Sequence, residues 1–331
     1  MARNVKSSAN FLDILRLNSG ADTCEPSAGQ STISQSLITR RTNSVRIATN
    51  AYNIILNCLP LKLQIPNLSL INTVRAKFKE LLINTFMYDL AKWTYIQYKT
   101  IRDKSIFKQR YPGAKYIHYP YKAILKQREK GYHSQYGQDY FLWNEYFSEL
   151  GIGEFIDIGA NKPIVNSNSF FFEQQGWTGL AIDPLQHFGP LWLKHRKTPL
   201  VCGAVADTIG QETFIEILPN KGWEHALSGF KAHVRDEDLK IYQYNEYTIN
   251  VSPLDSFLTE PHPVDLIMID VEGAELRVLK GIDFSVLNPR YLLIENDGIL
   301  GGCESIRSHL KALGYECVAR IAATDDFFVK T

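Results

Sequence analysis

EFIDIGANKPIVNSNSFFFEQQGWTGLAIDP, residues Glu154–Pro184, is the stretch whose reading decides the fold. Phe155, Ile156 and Ile158 make a short apolar run that ends at Gly159, the pattern of a strand buried on both faces. Ser169 is placed to cap a helix carrying Phe170, Phe171 and Phe172, and Gly176 to stop it. Leu180, Ala181 and Ile182 form a second buried run, closed by Asp183. The unit reads strand, tight turn, helix, strand, with an acid near the carboxyl end of each strand, at Asp157 and Asp183. Open α/β sheets bind ligands outside those strand ends, and a carboxylate at the second one can grip a ribose diol.

The first turn narrows the ligand. A dinucleotide fold uses G-x-G-x-x-G so that backbone amides approach a pyrophosphate at a helix N-terminus. Here the turn is Asp157-Ile158-Gly159-Ala160-Asn161-Lys162-Pro163, with one glycine of the three. Asp157 would also set a negative charge beside any phosphate. The loop suits a ligand with a ribose, an ammonium and no phosphate, which describes S-adenosylmethionine (SAM). A structural βαβ unit whose acids only cap helices has the same outline, because fold does not imply function.

Outward from this unit, the chain of 331 residues has a formal net charge of +1. That balance conceals a division: residues 1–130 hold 21 Lys and Arg against 7 Asp and Glu, whereas residues 131–331 hold 15 against 28. A basic appendage on an acidic globular domain is expected. Cys24, Cys58, Cys202, Cys303 and Cys317 show no metal-binding spacing and read as reduced thiols of a cytoplasmic protein. No run reaches the roughly 18 apolar residues of a membrane span, and no secretory signal opens the chain. Residues 1–47, rich in Ser, Thr and Asn, are expected to be disordered, and 48–130 to form a helical basic extension and linker. Within it, 70–110 has helical spacing of apolar residues with Lys and Arg on the other face. This extension is a candidate for peripheral contact with an anionic membrane surface or for packing on the domain. No repeat or zinc pattern supports nucleic-acid binding.

Further along, 184–197 reads as a helix, 199–206 (PLVCGAVA) as a third strand and ETFIEIL as an additional one. Residues 218–247 read as a long polar irregular loop. VDLIMID (264–270) is a fourth buried strand and YLLIE (291–295) a fifth, followed by a helix at 303–313. Tyr315–Ala322 and Asp326–Lys330 then form a final hairpin, hence an antiparallel edge. Alternating β-α units ending in such a hairpin are the order expected of a class I SAM methyltransferase; a dehydrogenase has no need of the hairpin.

At IDVEGAELRVLKG (269–281) the sequence closely resembles the FkbM family of SAM-dependent methyltransferases. The similarity continues through SQYGQD (134–139), FIDIGANKPIVNSNS (155–169), GWTGLAIDP (176–184), VSPLDSFL (251–258) and YLLIEND (291–297), all in the family's order. The resemblance covers about 131–331 and leaves the first 130 residues outside. It implies a doubly wound, mostly parallel seven-stranded α/β sheet and SAM as methyl donor. It also implies an oxygen acceptor on a glycan, lipid-linked sugar or natural product. Asp157, Gly159, Ala160, Asn161, Asp183, Pro184, Ala206 and Asp270 become the candidate cofactor-binding residues, with Asp270-Val271-Glu272 as the fourth-strand motif. Two departures stand out: many members carry Lys where this chain has Met268, and many have Gly where it has Pro163.

The candidate catalytic residues are Asp270, Glu272 and Glu295. Methyl transfer to an alcohol gains from a base within hydrogen-bond reach, a role for Glu272 or Asp270, with Glu295 shaping the pocket. Glu272 could instead serve the dipole of the helix that follows it. No metal site is assigned; magnesium held by these carboxylates is the less favoured alternative. A catalytically inactive binding protein, using its basic N-terminal region on an anionic partner, is the competing reading of the whole chain. A degenerate site would have little use for so many acids together.

Overall fold

The computed structural model describes residues 97–219, 224–297 and 300–331. The expectations of disorder over 1–47 and of an apolar and helical stretch over 48–96 lie outside these residues. The described residues belong to a compact unit spanning Leu81–Thr331, so the sequence-based boundary at 131 falls inside it.

Among the described residues the strands are, in chain order, β1 (Lys115–Ile117), β2 (Glu154–Ile158), β3 (Thr178–Asp183), β4 (Leu200–Cys202), β5 (Ala204–Val205), β6 (Gly210–Ile217), β7 (Gly229–Phe230), β8 (Tyr244–Ser252), β9 (Leu266–Ile269), β10 (Tyr291–Glu295), β11 (Tyr315–Ile321) and β12 (Asp325–Lys330). The main sheet has eight of them, in the order β1-β11-β12-β10-β9-β2-β3-β4. Every pairing in it is parallel except those of β12, which runs antiparallel to β10 and β11. The expected hairpin is present; the expected count of seven is corrected to eight, because β1 adds to the edge beside β11. Residues 97–130 are therefore not purely helical. They contribute the helix over 97–110, this edge strand and the helix Tyr121–Arg128.

Strand residues alternate between two cores, as a period of two requires. Ile156, Ile158, Ile267, Ile269, Leu292 and Ile294 pack on one face. Phe155, Leu266, Met268, Leu293 and Phe327 pack on the other, with Phe172 and Trp177. Burying this many large apolar side chains, at about 1.5–3 kcal/mol each, is what drives the layers together.

Two sequence-based readings change here. The single strand expected over 199–206 breaks at Gly203: β4 stays in the main sheet, while β5 crosses to a second sheet of order β5-β8-β6-β7. A side chain at Gly203 would lie 2.3 Å from the Phe257 ring, so only glycine passes there. The loop expected over 218–247 is largely ordered, with the 3-10 turn Glu224–Leu227, β7, the helix Asp236–Ile241 and the start of β8. β6 and β8 alternate polar and apolar residues because one face meets solvent, which disguises them among polar neighbours.

The helix over 97–110 is fastened by a wholly buried ion network. Asp103 accepts from Arg320 at 2.8 and 3.0 Å and from the Gly301 amide at 2.6 Å. Arg320 also reaches Asp326 at 2.9 Å, and Arg307 bonds the same Asp326 at 2.8 and 3.1 Å. Such charges are tolerated in a core because each has several partners; removing one would leave its neighbour buried and uncompensated.

Candidate functional site

The β2–β3 unit forms one end of the site. The chain leaves β2 into Gly159, at φ 83, and a side chain there would collide with the Asp270 carbonyl oxygen at 1.7 Å. Glycine is what lets this turn lie against β9. Asn161 follows at φ 52, a left-handed conformation that asparagine tolerates better than most residues. Its amide donates to Asp183 Oδ2 at 2.8 Å, and the Leu185 amide donates to Oδ1 at 2.8 Å. Both oxygens of Asp183 are thereby aimed, and each keeps a lone pair for a ligand. Burial pushes its pKa up to about 6, opposed by those two amides and assisted by the charge of Asp157.

Asp157 is buried, its pKa raised by that burial and held back by Ser169 and Arg196. Ser169 was expected to cap the helix Phe170–Gln174, but the cap bond comes from Ser167, whose Oγ accepts from the Phe170 amide at 3.1 Å. Ser169 instead accepts from Arg196 at 3.0 Å, and Arg196 also bonds Glu173 at 2.9 Å and the Pro163 carbonyl at 2.8 Å. This buried arginine fixes the loop from Pro163 to Ser169 to the body of the domain.

The other end is built by sheet register. Ile158 pairs with Ile182 and Ile269, and Ile269 pairs with Ile294. The next residues along these strands, Gly159, Asp183, Asp270 and Glu295, therefore stand level across the carboxyl edge. Glu295 pairs with Asp325, which extends the line of acids onto β12. Asp157 and Met268 lie two residues earlier on the same face, directly beneath it. Oxygens of Asp270, Glu272 and Glu295 come within 4.8 Å of one another, a spacing that can hold a divalent cation.

Glu272 enters this group with φ 54, a strained setting for a residue with a side chain, costing about 1–3 kcal/mol. The helix after it starts only at Glu275, so Glu272 belongs to the turn and not to the helix. Glu275 satisfies the turn itself, accepting from the Gly273 amide at 2.9 Å.

Acids this close cannot all ionise. Burial raises the Asp270 pKa to about 8 and that of Glu272 to about 9, and neighbouring carboxylates add to both. Glu295 is raised by the same two causes and shares a hydrogen bond with Asp270. Asp325 is pushed up to about 6 by burial, against bonds from Thr324 and Gln138. Burial pushes the Tyr136 phenol up to about 12, and the same acids contribute.

A cavity of about 370 Å³ joins the two ends, within the range of roughly 300–1,000 Å³ typical of small-molecule sites. Its wall includes Asp157, Gly159, Ala160, Asn161, Asp183, Pro184, Asp270, Glu272 and Glu295. Ala206 is the sequence-based candidate outside that wall. Once β5 has crossed to the second sheet, Ala206 is buried and its amide donates to the Ser252 carbonyl at 3.0 Å; Ala204 and Val205 line the cavity in its place.

The sequence reading missed several wall residues. His225, Ala226, Ser228 and Phe230 come from the supposed loop and face the cavity opposite the sheet. Burial lowers the His225 pKa to about 4, so it lines the cavity as a neutral ring. Gln135 and Asn168 also line it, and the buried Oδ1 of Asn168 has no hydrogen-bond partner among the described residues. The hydrophilic SQYGQD segment was the one signal for this side. Gln138 within it bonds Asp325 at 2.9 Å, and Asp139 gathers the amides of His133 and Ser134 at 2.6 and 3.1 Å.

No helix among the described residues is long and apolar enough to cross a membrane. Searches of the curated proteins and of the solved structures find no match to the chain. The family model of the methyltransferase FkbM domain matches residues 157–317, from the aspartate of β2 into β11. That span contains the β2–β3 unit, the cavity-facing second sheet and the carboxylates of β9 and β10. Lying across them, the match marks residues 157–317 as similar to the methyltransferase FkbM domain.

Proposed function

We propose that the domain uses SAM and transfers its methyl group to a hydroxyl oxygen. The observation that carries this reading is the cavity running from the aimed carboxylate of Asp183 to the line of acids at Asp270, Glu272 and Glu295. The donor set fits the cofactor. Asp183 offers two oriented oxygens to a ribose diol, and Asn168 Oδ1 and Asp157 offer acceptors to an ammonium. The wall gathers carboxylates at the turn where a dinucleotide would need amides for its phosphates.

SAM supplies an electrophilic methyl on a sulfonium, which leaves as a neutral thioether. The chain's part is alignment and proton removal. Gly159 and Asn161 set the turn, Asp183 fixes the ribose, and the walls exclude water from the reacting end. Glu272 or Asp270, once ionised, takes the acceptor's hydroxyl proton as the oxygen lone pair forms its new bond to carbon. Glu295 shapes the pocket beside them. A carboxylate whose pKa lies near the working pH is suited to this task.

The test is calorimetry of the full chain with SAM and with NADH, followed by turnover with labelled SAM. Binding of SAM with no measurable NADH binding is expected; tight NADH binding would sink the reading. The 4.8 Å grouping supports a second role for the acids, as ligands of magnesium, in which case chelators would abolish turnover and added Mg²⁺ would restore it.

A further inference from the structure

Residues 97–130 precede the family match and carry ten Lys and Arg against two acids. Asp103 is buried in the network with Arg320, which leaves Glu129 as the one exposed acid of the segment. Lys99, Arg110 and Lys115 pair with acids of the domain, and Lys108 bonds the Pro112 and Ala114 carbonyls. Arg102, Lys104, Lys122, Lys126 and Lys130 are exposed and have no acidic partner among the described residues. Packing on the domain therefore accounts for the inner side of the segment and leaves its outer side cationic.

Large apolar side chains stand among these cations. In the helix Tyr121–Arg128, Ile124 and Gln127 are buried, whereas Tyr121 is 74% and Leu125 40% exposed. At about 3.6 residues per turn, Tyr121 and Leu125 form one stripe, with Arg128 on one side and Lys122 and Lys126 on the other. The helix over 97–110 repeats the arrangement: Tyr98 is 50% and Ile101 66% exposed, between Arg102 and Lys104. An apolar stripe with cations along both flanks is the pattern of a helix lying in a lipid interface.

Both helices border the site. β1 runs parallel to β11, and β12 is antiparallel to β11 and β10, so β1 ends at the carboxyl edge and the helix Tyr121–Arg128 starts there. Arg128 donates to Asn166 Oδ1 at 3.0 Å, and Asn166 lines the first cavity beside Val165, which is 59% exposed. A second cavity, of about 780 Å³, shares Glu272 and Glu295 with the first. Lys99, near the start of the other helix, reaches Asp297 on its wall at 4.0 Å. Each helix is thus tied to the rim of one cavity.

We propose that this face docks on an anionic lipid bilayer and sets the rims of both cavities at the headgroup layer. The proposal is independent of which cofactor the first cavity takes. A soluble polyanion would engage the cations and leave Ile101 and Leu125 in water. A bilayer engages both. The cations meet headgroup phosphates, each contributing roughly fivefold in affinity, while the tyrosine rings and aliphatic side chains enter the boundary beneath them.

The experiment is flotation of the full chain with two kinds of vesicle, phosphatidylcholine alone and an equal mixture of phosphatidylcholine and phosphatidylserine, at low and physiological salt. Binding to the mixed vesicles is expected to be at least about tenfold stronger than to phosphatidylcholine and to weaken with salt. Lys122→Glu combined with Lys126→Glu should lower it at least about 25-fold. Tyr121→Ser combined with Leu125→Ser, which leaves the charge unchanged, should lower it at least about fivefold, as should Ile101→Asp on the other helix. Ile209→Ser, at an exposed position between Asp207 and Glu212, should leave binding within about twofold. All these side chains are exposed, so each variant should keep the wild-type Tm. Duplex DNA, titrated in parallel, should bind more weakly than the mixed vesicles. No flotation at either salt, undiminished binding in any of the three docking-face variants, an equal loss in the Ile209 variant, or tighter binding of the DNA overturns the proposal.

Discussion

The two ends of the first cavity are both lined by carboxylates, buried at Asp157 and Asp183 and partly exposed at Asp270, Glu272 and Glu295, and they are organised in opposite ways. At the β2–β3 end each acid has dedicated donors: two amides for Asp183, and Ser169 with the nearby Arg196 guanidinium for Asp157. At the β9–β10 end Asp270, Glu272 and Glu295 have chiefly one another, and their proton affinities climb together. Donors fix a carboxylate in place and restrain its pKa, which suits a group that only holds a ligand. Crowding without donors produces groups ready to exchange a proton or to take up a cation. On the proposed function, the same side-chain type binds at one end and does chemistry at the other.

The sharpest way to break this comparison is Glu272→Gln. Turnover should fall by about 10²–10⁴-fold, the range for loss of a general base, with SAM affinity preserved. Near-normal turnover would return Glu272 to a structural role. Asp183→Ala tests the opposite end and should act on binding. Loss of a hydrogen bond to a charged group, about 1.5–3 kcal/mol, corresponds to SAM affinity weaker by roughly 10- to 150-fold in calorimetry. Unchanged affinity would remove Asp183 from the ribose.

A pH profile sharpens the contrast further. With Asp270 raised to about 8 and Glu272 to about 9, both are largely protonated at neutral pH. Single-turnover rates should therefore rise by about tenfold per pH unit on the acid side of these values and level off above them. A profile flat from pH 6 to 9 would exclude either group as base.

Stability should move the other way. In the folded chain these carboxyls keep a proton that the unfolded chain has lost, so folding is disfavoured as pH rises from near their ordinary values of 3.8 and 4.5 toward 8 and 9. Glu272→Gln removes part of that cost. Its Tm at pH 8 should exceed that of the wild type by a few degrees, at roughly 2–4 °C per kcal/mol for a domain of this size, with little difference at pH 4.5. An equal shift at both pH values would point to relief of the strained turn rather than of charge.

How far the site could be read in advance follows the range of the interactions involved. Asp157, Gly159, Asn161 and Asp183 were legible because one βαβ unit holds them, and strand, turn and helix signals are local. Asp270 and Glu295 were legible because each closes an apolar run at the carboxyl end of a parallel strand. Asp325 was not: it joins the line through the antiparallel return of β12, and register is set by partners across the sheet. His225 and Phe230 were hidden because their segment is polar and gains its order by closing over the cavity. Ala206 was misplaced because the strand breaks at Gly203, where the chain packs against the Phe257 ring, 54 residues further along the chain.

By itself, the sequence determined the alternation of buried strands and helices, the acids at their ends and the hairpin that closes the sheet, since these depend on side-chain periodicity and turn chemistry. Tertiary structure decided that 97–130 is built into the unit, through β1 and the Asp103–Arg320 pair, and that Glu272 and Glu295 stand between two cavities. The physical reason is the same in each case. A buried charge or an edge strand finds its partner by three-dimensional proximity, and neither residue spacing nor composition records that distance.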